Sequence, residues 1–221
     1  MPKSNNLTDL PQSRRIRQTR RGIQRSEGII RAASDLFLEK GYEGSSMEEI
    51  IQRSGGSKSH IYREFGGKDG LFLASVKFLC DEVQLSIETV DVSALSVKAG
   101  LQKLALSLVQ VLLTERHLAL QRLVFAEGLR FQKAGEIWFE RGPQMTHRIF
   151  SRYFESCMRA RLLRRADPML AASLFCDMLS GHILDRAWLG NGKRPSRAEA
   201  KRTINAAVDV FLNGYGTLHK N

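Results

Sequence analysis

The chain has 221 residues, 43% of them hydrophobic and 26% charged, and a formal net charge of +11. That length suits one large or two small domains, with enough apolar material for a proper core. It contains no run of about eighteen apolar residues and no apolar stretch of a signal peptide at the N-terminus, so it reads as a cytoplasmic chain, neither exported nor membrane-spanning.

The positive excess implies a polyanionic partner but does not choose among nucleic acid, anionic membrane and acidic protein. Residues 1–70 carry +4 of it and residues 71–221 carry +7, so in the larger part it reads as solvated helix faces or as a general attraction for anions. Cys80, Cys157 and Cys176 are far apart in apolar helical patterns, without partners at metal-ligand spacing. They read as reduced core thiols, with a redox sensor as the alternative.

Residues 1–13 are polar, hold two prolines and show no period, which predicts disorder. Arg14, Arg15, Arg17, Arg20, Arg21 and Arg25 then complete a basic arm over residues 1–25, either a minor-groove contact or a solvated tail. A first helix is predicted from Arg25 to Lys40, with Ile29, Ile30, Ala33, Leu36 and Phe37 on one face and Gly41 ending it.

Residues 45–68 hold two short apolar segments around a Ser-Gly-Gly-Ser turn. Ser46 and Glu49 can form a capping box, with Met47, Ile50 and Ile51 on one face. Gly55 and Gly56 allow a sharp reversal, and Ser57 can cap a second helix. In that helix Ile61 and Phe65 point inward, which leaves Lys58, Ser59, His60, Tyr62 and Arg63 for phosphates and base edges. An ordinary αα-hairpin with a solvated face has the same local pattern.

Taken together, Ala33, Leu36, Phe37, Gly41, Tyr42, Ser45, Ser46, Tyr62, Phe65, Lys68 and Leu71 resemble the DNA-binding domain of tetracycline-repressor (TetR) type transcriptional regulators. The resemblance covers residues 26–72 and implies phosphate contacts for Tyr62 and Lys68, so the DNA-binding set is Ser46, Ser57, Lys58, Ser59, His60, Tyr62, Arg63 and Lys68. Three positions depart from the family pattern. His60 replaces the usual threonine, Glu64 stands where a histidine is common, and Gly56 replaces a β-branched residue. The last change forgoes ~1.5 kcal/mol of burial and predicts a loose reader.

After the motif a fourth helix runs from Lys68 through Leu71, Phe72, Val76, Leu79 and Val83, joining a 26–70 reading domain to a 71–221 helical domain. Asp91 or Ser93 can start the next helix, Thr114 another, and a shorter helical stretch surrounds Ile137 and Trp138. Pro143, Asp167 with Pro168, and a capping box of Ser196 with Glu199 open the last three. The fold class is therefore all-α, with about nine helices: an N-terminal three-helix helix-turn-helix domain followed by a larger effector-binding and dimerisation domain.

Residues 127–143 resemble the effector-binding half of AcrR-like and AefR-like members. The resemblance implies that the last two long helices pack against their copies in a second subunit, through Leu174, Met178, Gly181, Ile204, Val208 and Phe211. The middle helices would then enclose a pocket for a small apolar or aromatic effector. Phe125, Trp138, Phe150, Phe154, Met158, Phe175 and His182 are its candidates, and each serves equally well as plain core.

His60, His117, His147, His182 and His219 are scattered, with no hydrolase elbow, phosphate loop or metal pair, so no catalytic residue, metal or cofactor is assigned. The reading is a homodimeric, ligand-responsive repressor of a double-stranded DNA operator, with no membrane partner. A constitutive or architectural DNA binder of the same fold is the alternative, and a helical enzyme the remote one.

Overall fold

The structure, a computed structural model of the chain, describes residues 20–188 and 194–217, without the side chains of residues 182, 185, 186 and 188. Ten helices run through it: α1 Arg20–Lys40, α2 Met47–Ser54, α3 Lys58–Phe65, α4 Lys68–Glu88, α5 Val97–Leu112, α6 Glu115–Glu127, α7 Gln132–Arg141, α8 Pro143–Arg159, α9 Pro168–Trp188 and α10 Arg197–Tyr215. Sequence predicted the all-α class with about nine helices. The only β feature among the described residues is an isolated bridge between Leu163 and Gly216. No single described helix is long and apolar enough to cross a membrane.

The helix ends follow their capping chemistry. Ser46 accepts from Glu49 N while Glu49 reaches back to the Ser46 backbone, and Ser196 with Glu199 repeats the arrangement at α10. Ser57 caps α3, Thr114 caps α6, and Asp167 accepts from Met169 N and Leu170 N at the start of α9. Helix α5 differs from expectation. Its cap is Ser96, because Asp91 spends its carboxylate on the Ser93 backbone and hydroxyl in a tight turn of its own. Helix α1 is already formed at Arg20, the first described residue and ahead of the predicted Arg25, and Arg20, Arg21 and Arg25 stand exposed on it. The predicted disorder of residues 1–13, and Arg14, Arg15 and Arg17 of the basic arm, lie outside the described residues.

Two corners need glycine. Gly55 takes φ +65 where α2 turns toward α3. At the α3–α4 corner a Cβ on Gly70 would come within 1.7 Å of the Phe65 carbonyl oxygen, so that backbone approach closes only without a side chain.

Two cores meet along α4. Ile29, Phe37, Ile50, Ile61, Leu71 and Phe72 bring α1–α4 together, and this head core continues into Leu120, Leu123 and Val124 of α6 and Ala134 of α7. Farther along α4, Val83 and Ile87 belong to the second core, built from α5, α8, α9 and α10. Its centre is a ring cluster in which Phe154 stacks on Phe211 at 4.6 Å and meets Phe175 edge-on at 6.0 Å. A polar clasp reinforces the junction: Arg116 of α6 donates to Asp35 of α1 at 2.6 Å and to Glu82 of α4 at 2.8 Å.

Candidate nucleic-acid interface and effector cavity

The candidate reading face is the outer side of α3. Ile61 is fully buried in the head core, which turns Lys58, Ser59, Tyr62 and Arg63 outward, Tyr62 with 52% of its surface exposed. Ser46 and Ser57 sit at the two helix starts as caps, so their hydroxyls are already committed to backbone and neighbours. Ser57 Oγ accepts from His60 N at 3.4 Å and lies 3.3 Å from Ser59 Oγ. Of the basic residues near the motif, Arg53 pairs bidentately with Glu39 and Lys40 pairs with Glu49. No ion pair among the described residues occupies Lys58 or Lys68, which leaves both charges for an anionic partner.

His60 corrects the sequence reading. It does not face outward with its neighbours but is 93% buried, since its exposure is 7%. The residue before Ile61 points toward α1, where Ser26 Oγ lies 3.3 Å from His60 Nε2. On the other side Arg63 Nη2 lies 2.7 Å from His60 Nδ1. A guanidinium can only donate, so Nδ1 accepts and the proton sits on Nε2, directed at Ser26. Arg63 also pairs with Glu64 at 3.3 Å, which partly neutralises an acid close to where phosphates would lie.

Gly56 is also tighter than expected. A Cβ there would meet Ser54 Oγ at 3.0 Å and Ile29 Cδ1 at 3.1 Å. Ile29 of α1 fills the volume that a β-branched residue would take, so the turn lacks the hole inferred from sequence.

Lys68 opens α4 with its Nζ 4.2 Å from the centroid of the Tyr42 ring. Tyr42 donates to Asp69, and burial with that carboxylate pushes its phenol up to about 12. Arg130, from the α6–α7 connection, covers the same ring at 5.0 Å. One aromatic side chain therefore joins the start of α4 to the larger domain.

On the far side of α6 a cavity of about 370 Å³ opens among α4–α9. Val83, Leu108, Leu112 and Leu184 form apolar wall, with Trp138 and Phe139 at one side. Polar atoms come from His117, Gln121, Thr146, His147, Asp177 and Ser180. Of the effector candidates with described side chains, Trp138 alone lines this space. Phe150, Phe154 and Phe175 are buried against one another's rings in the second core, and Met158 is buried in the same core. Phe125 is exposed and sets its ring edge-on to Trp138 at 5.3 Å, and the His182 side chain lies outside the described residues.

Sequence reasoning missed His117 and Gln121 because it weighted aromatics. Their signal was a pair of polar residues at i, i+4 on a helix face that otherwise has to be apolar. His117 is buried to 8% exposure, and neither ring nitrogen has a hydrogen-bond partner among the described residues. Desolvation alone lowers its pKa to about 4, so the ring is neutral. His147 is also shifted down by burial, against the pull of Asp177. The three thiols are free, buried and pushed up by desolvation, Cys80 to about 12, which keeps them protonated.

The outer faces of α9 and α10 carry exposed apolar side chains. Leu170, Leu174 and Met178 recur at i, i+4 on α9, at 54%, 47% and 36% exposure, with Gly181 continuing the stripe and Val210 exposed on α10. Ile204, Val208 and Phe211, assigned to a subunit interface from sequence, face the other way. They are buried in the chain's own core, because α10 needs that face to close over α5 and α9.

Two family models match the chain. "Bacterial regulatory proteins, tetR family" covers residues 29–75, and "AefR-like transcriptional repressor, C-terminal domain" covers residues 99–217. A solved TetR-family transcriptional regulator from Mesorhizobium loti superposes with a TM-score of 0.85 at 35% identity, over 90% of this chain and 100% of that one. The Flavonoid-responsive Regulator FrrA superposes with a TM-score of 0.75 at 27% identity, over 88% of this chain and 98% of its own. The HTH-type transcriptional activator FasR of Mycolicibacterium smegmatis is 39% identical over 51 residues, 23% of this chain. The match spans 23% of that curated relative's length.

Proposed function

The chain belongs to the TetR family of DNA-binding transcriptional regulators, and on that premise we propose that it is a ligand-responsive repressor. It binds a near-palindromic operator as a homodimer and leaves it when a small apolar or aromatic molecule enters the cavity behind α6. The dimer forms through the exposed stripe of α9 with α10. Half-sites read by two α3 helices then lie roughly one helical turn, ~34 Å, apart.

The position of α6 is the observation that carries this reading. Its His117 and Gln121 line the cavity, its Leu120, Leu123 and Val124 belong to the reading-head core, and its Arg116 holds α1 and α4 together. A ligand that reseats α6 thus acts on the helices that aim α3. It shifts the operator equilibrium only if it prefers the arrangement that does not bind DNA, however tightly it is held. A repressor is supported by the AefR-like match over the larger domain, and an aromatic effector by the similarity to a flavonoid-responsive protein.

The test is to select bound fragments from the protein's own genome and footprint the best one. A two-fold protected tract that disappears with an apolar or aromatic compound is the expected result. A protected tract that no such compound affects would make the protein a constitutive binder and overturn the ligand-responsive reading.

A further inference from the structure

His117 is the one side chain among the described residues with buried polar atoms left wholly unpaired. Each such atom is costly in a finished core, and replacing the ring by leucine would remove that cost. The ring is nevertheless placed where a partner can arrive. It lines the 370 Å³ cavity and also a smaller one of about 140 Å³ on its other side, which Glu82, Arg116 and Ser86 share.

The lining restricts the partner's charge. Among the described residues no lysine or arginine borders the larger cavity, and Asp177 is the one formally charged group. A carboxylate or phosphate entering there would lose its water without gaining a cation, against an acid already present. The apolar wall of Val83, Leu108, Leu112 and Leu184, with the Trp138 and Phe139 rings, favours a flat hydrocarbon body.

The lining also restricts the polar handle. A neutral imidazole offers one donor and one strong acceptor, with either nitrogen able to play either part. A hydroxyl both donates and accepts, so it satisfies whichever nitrogen faces the cavity, whereas an ether or ketone can only accept. Resting on the ligand-responsive reading above, we infer that His117 is the recognition residue for an uncharged, hydroxylated aromatic effector. The hydroxyl hydrogen-bonds to the imidazole while the rings lie against Trp138. Its burial keeps the imidazole neutral and therefore an acceptor at ordinary pH.

The test is calorimetric titration of the full chain with 2-naphthol, its methyl ether and 2-naphthoate. The expected order is naphthol tightest, the ether at least about tenfold weaker, and the carboxylate weaker still. In His117→Leu the gap between naphthol and ether closes to within about twofold, and in His117→Gln, which keeps a donor and an acceptor, part of it returns. His117→Leu should raise the melting temperature, so a folding failure does not obscure the result. Equal binding of naphthol and ether by the unaltered protein, tighter binding of the carboxylate, or an unchanged gap in His117→Leu would each overturn the assignment. So would the absence of heat from naphthol. Operator affinity is measured separately by fluorescence anisotropy. If naphthol binds through His117 without lowering operator affinity, the recognition assignment stands and the proposed release mechanism fails.

Discussion

Arg63 is steered by His60: its Nη2 stands 2.7 Å from the imidazole Nδ1, and the same ring reaches Ser26 of α1 through Nε2. Helix α3 is therefore tied to the helix behind it by a histidine that is itself buried. His60→Ala should cost about 1–2 kcal/mol of stability by leaving the cluster unsatisfied. It should also weaken operator binding severalfold by freeing Arg63. Urea denaturation and anisotropy titration check the two effects, and an Arg63→Ala background should absorb the second.

Among the described residues neither Lys68 nor Lys58 is in an ion pair, and the two stand at the starts of different helices. Lys68→Ala should weaken binding to every DNA sequence alike and lower the salt-dependence slope by about 1. Lys58→Ala or Ser59→Ala should instead change which operator is preferred. Titrations at several salt concentrations, on a specific and a scrambled duplex, separate the two behaviours.

The outer stripe of α9 and the inner face of α10 should respond oppositely to charge. Leu174→Glu with Met178→Glu should give a folded monomer in sedimentation, with little loss of helix signal. Val208→Glu should cost about 4 kcal/mol or more, because it buries an unpaired carboxylate at a position with no exposure. A variant that is folded and still sediments as a dimer would remove α9 from the interface.

The neutral His117 ties stability to pH. Its folded pKa of about 4 lies below the ordinary 6.5, so between those values the unfolded chain binds the extra proton. Stability from this residue is intact above pH 6.5 and falls as pH drops toward 4, by up to about 1.4 kcal/mol per unit. Glu82 and Arg116 face the ring from one side and His147 and Asp177 share the cavity on the other, and His147 is shifted in the same direction. Melting curves should therefore show a shallower acid slope in His117→Leu, with the remaining slope belonging to His147 and the carboxylates.

Arg116 joins α6 to both Asp35 and Glu82, and all three side chains are more than a third exposed. Solvent screening limits their worth, so Arg116→Met should cost no more than about 1 kcal/mol. The larger effect should be on coupling. Ligand affinity should stay near normal while the ligand-dependent change in operator affinity shrinks. An unchanged response would place the signal elsewhere, in the α6 apolar face.

Local chemistry explains why so much of the fold was legible beforehand. Capping boxes at Ser46 and Ser196, the glycine reversal at Gly55 and the i, i+4 apolar pairs act within one or two turns, so residue order alone determines them. The helix-turn-helix and the all-α class follow from such short-range rules. Which face of a helix finds a neighbour does not. His60 turned inward because α1 supplies Ser26, thirty-four residues away in sequence, and Ile29 filled the space at Gly56 for the same reason. Phe150, Phe154 and Phe175 became core, and His117 with Gln121 became cavity, only when five other helices closed around them. Periodicity states that a helix has an apolar side. The tertiary packing decided what lies opposite it, since burial depends on contacts between segments that are far apart along the chain.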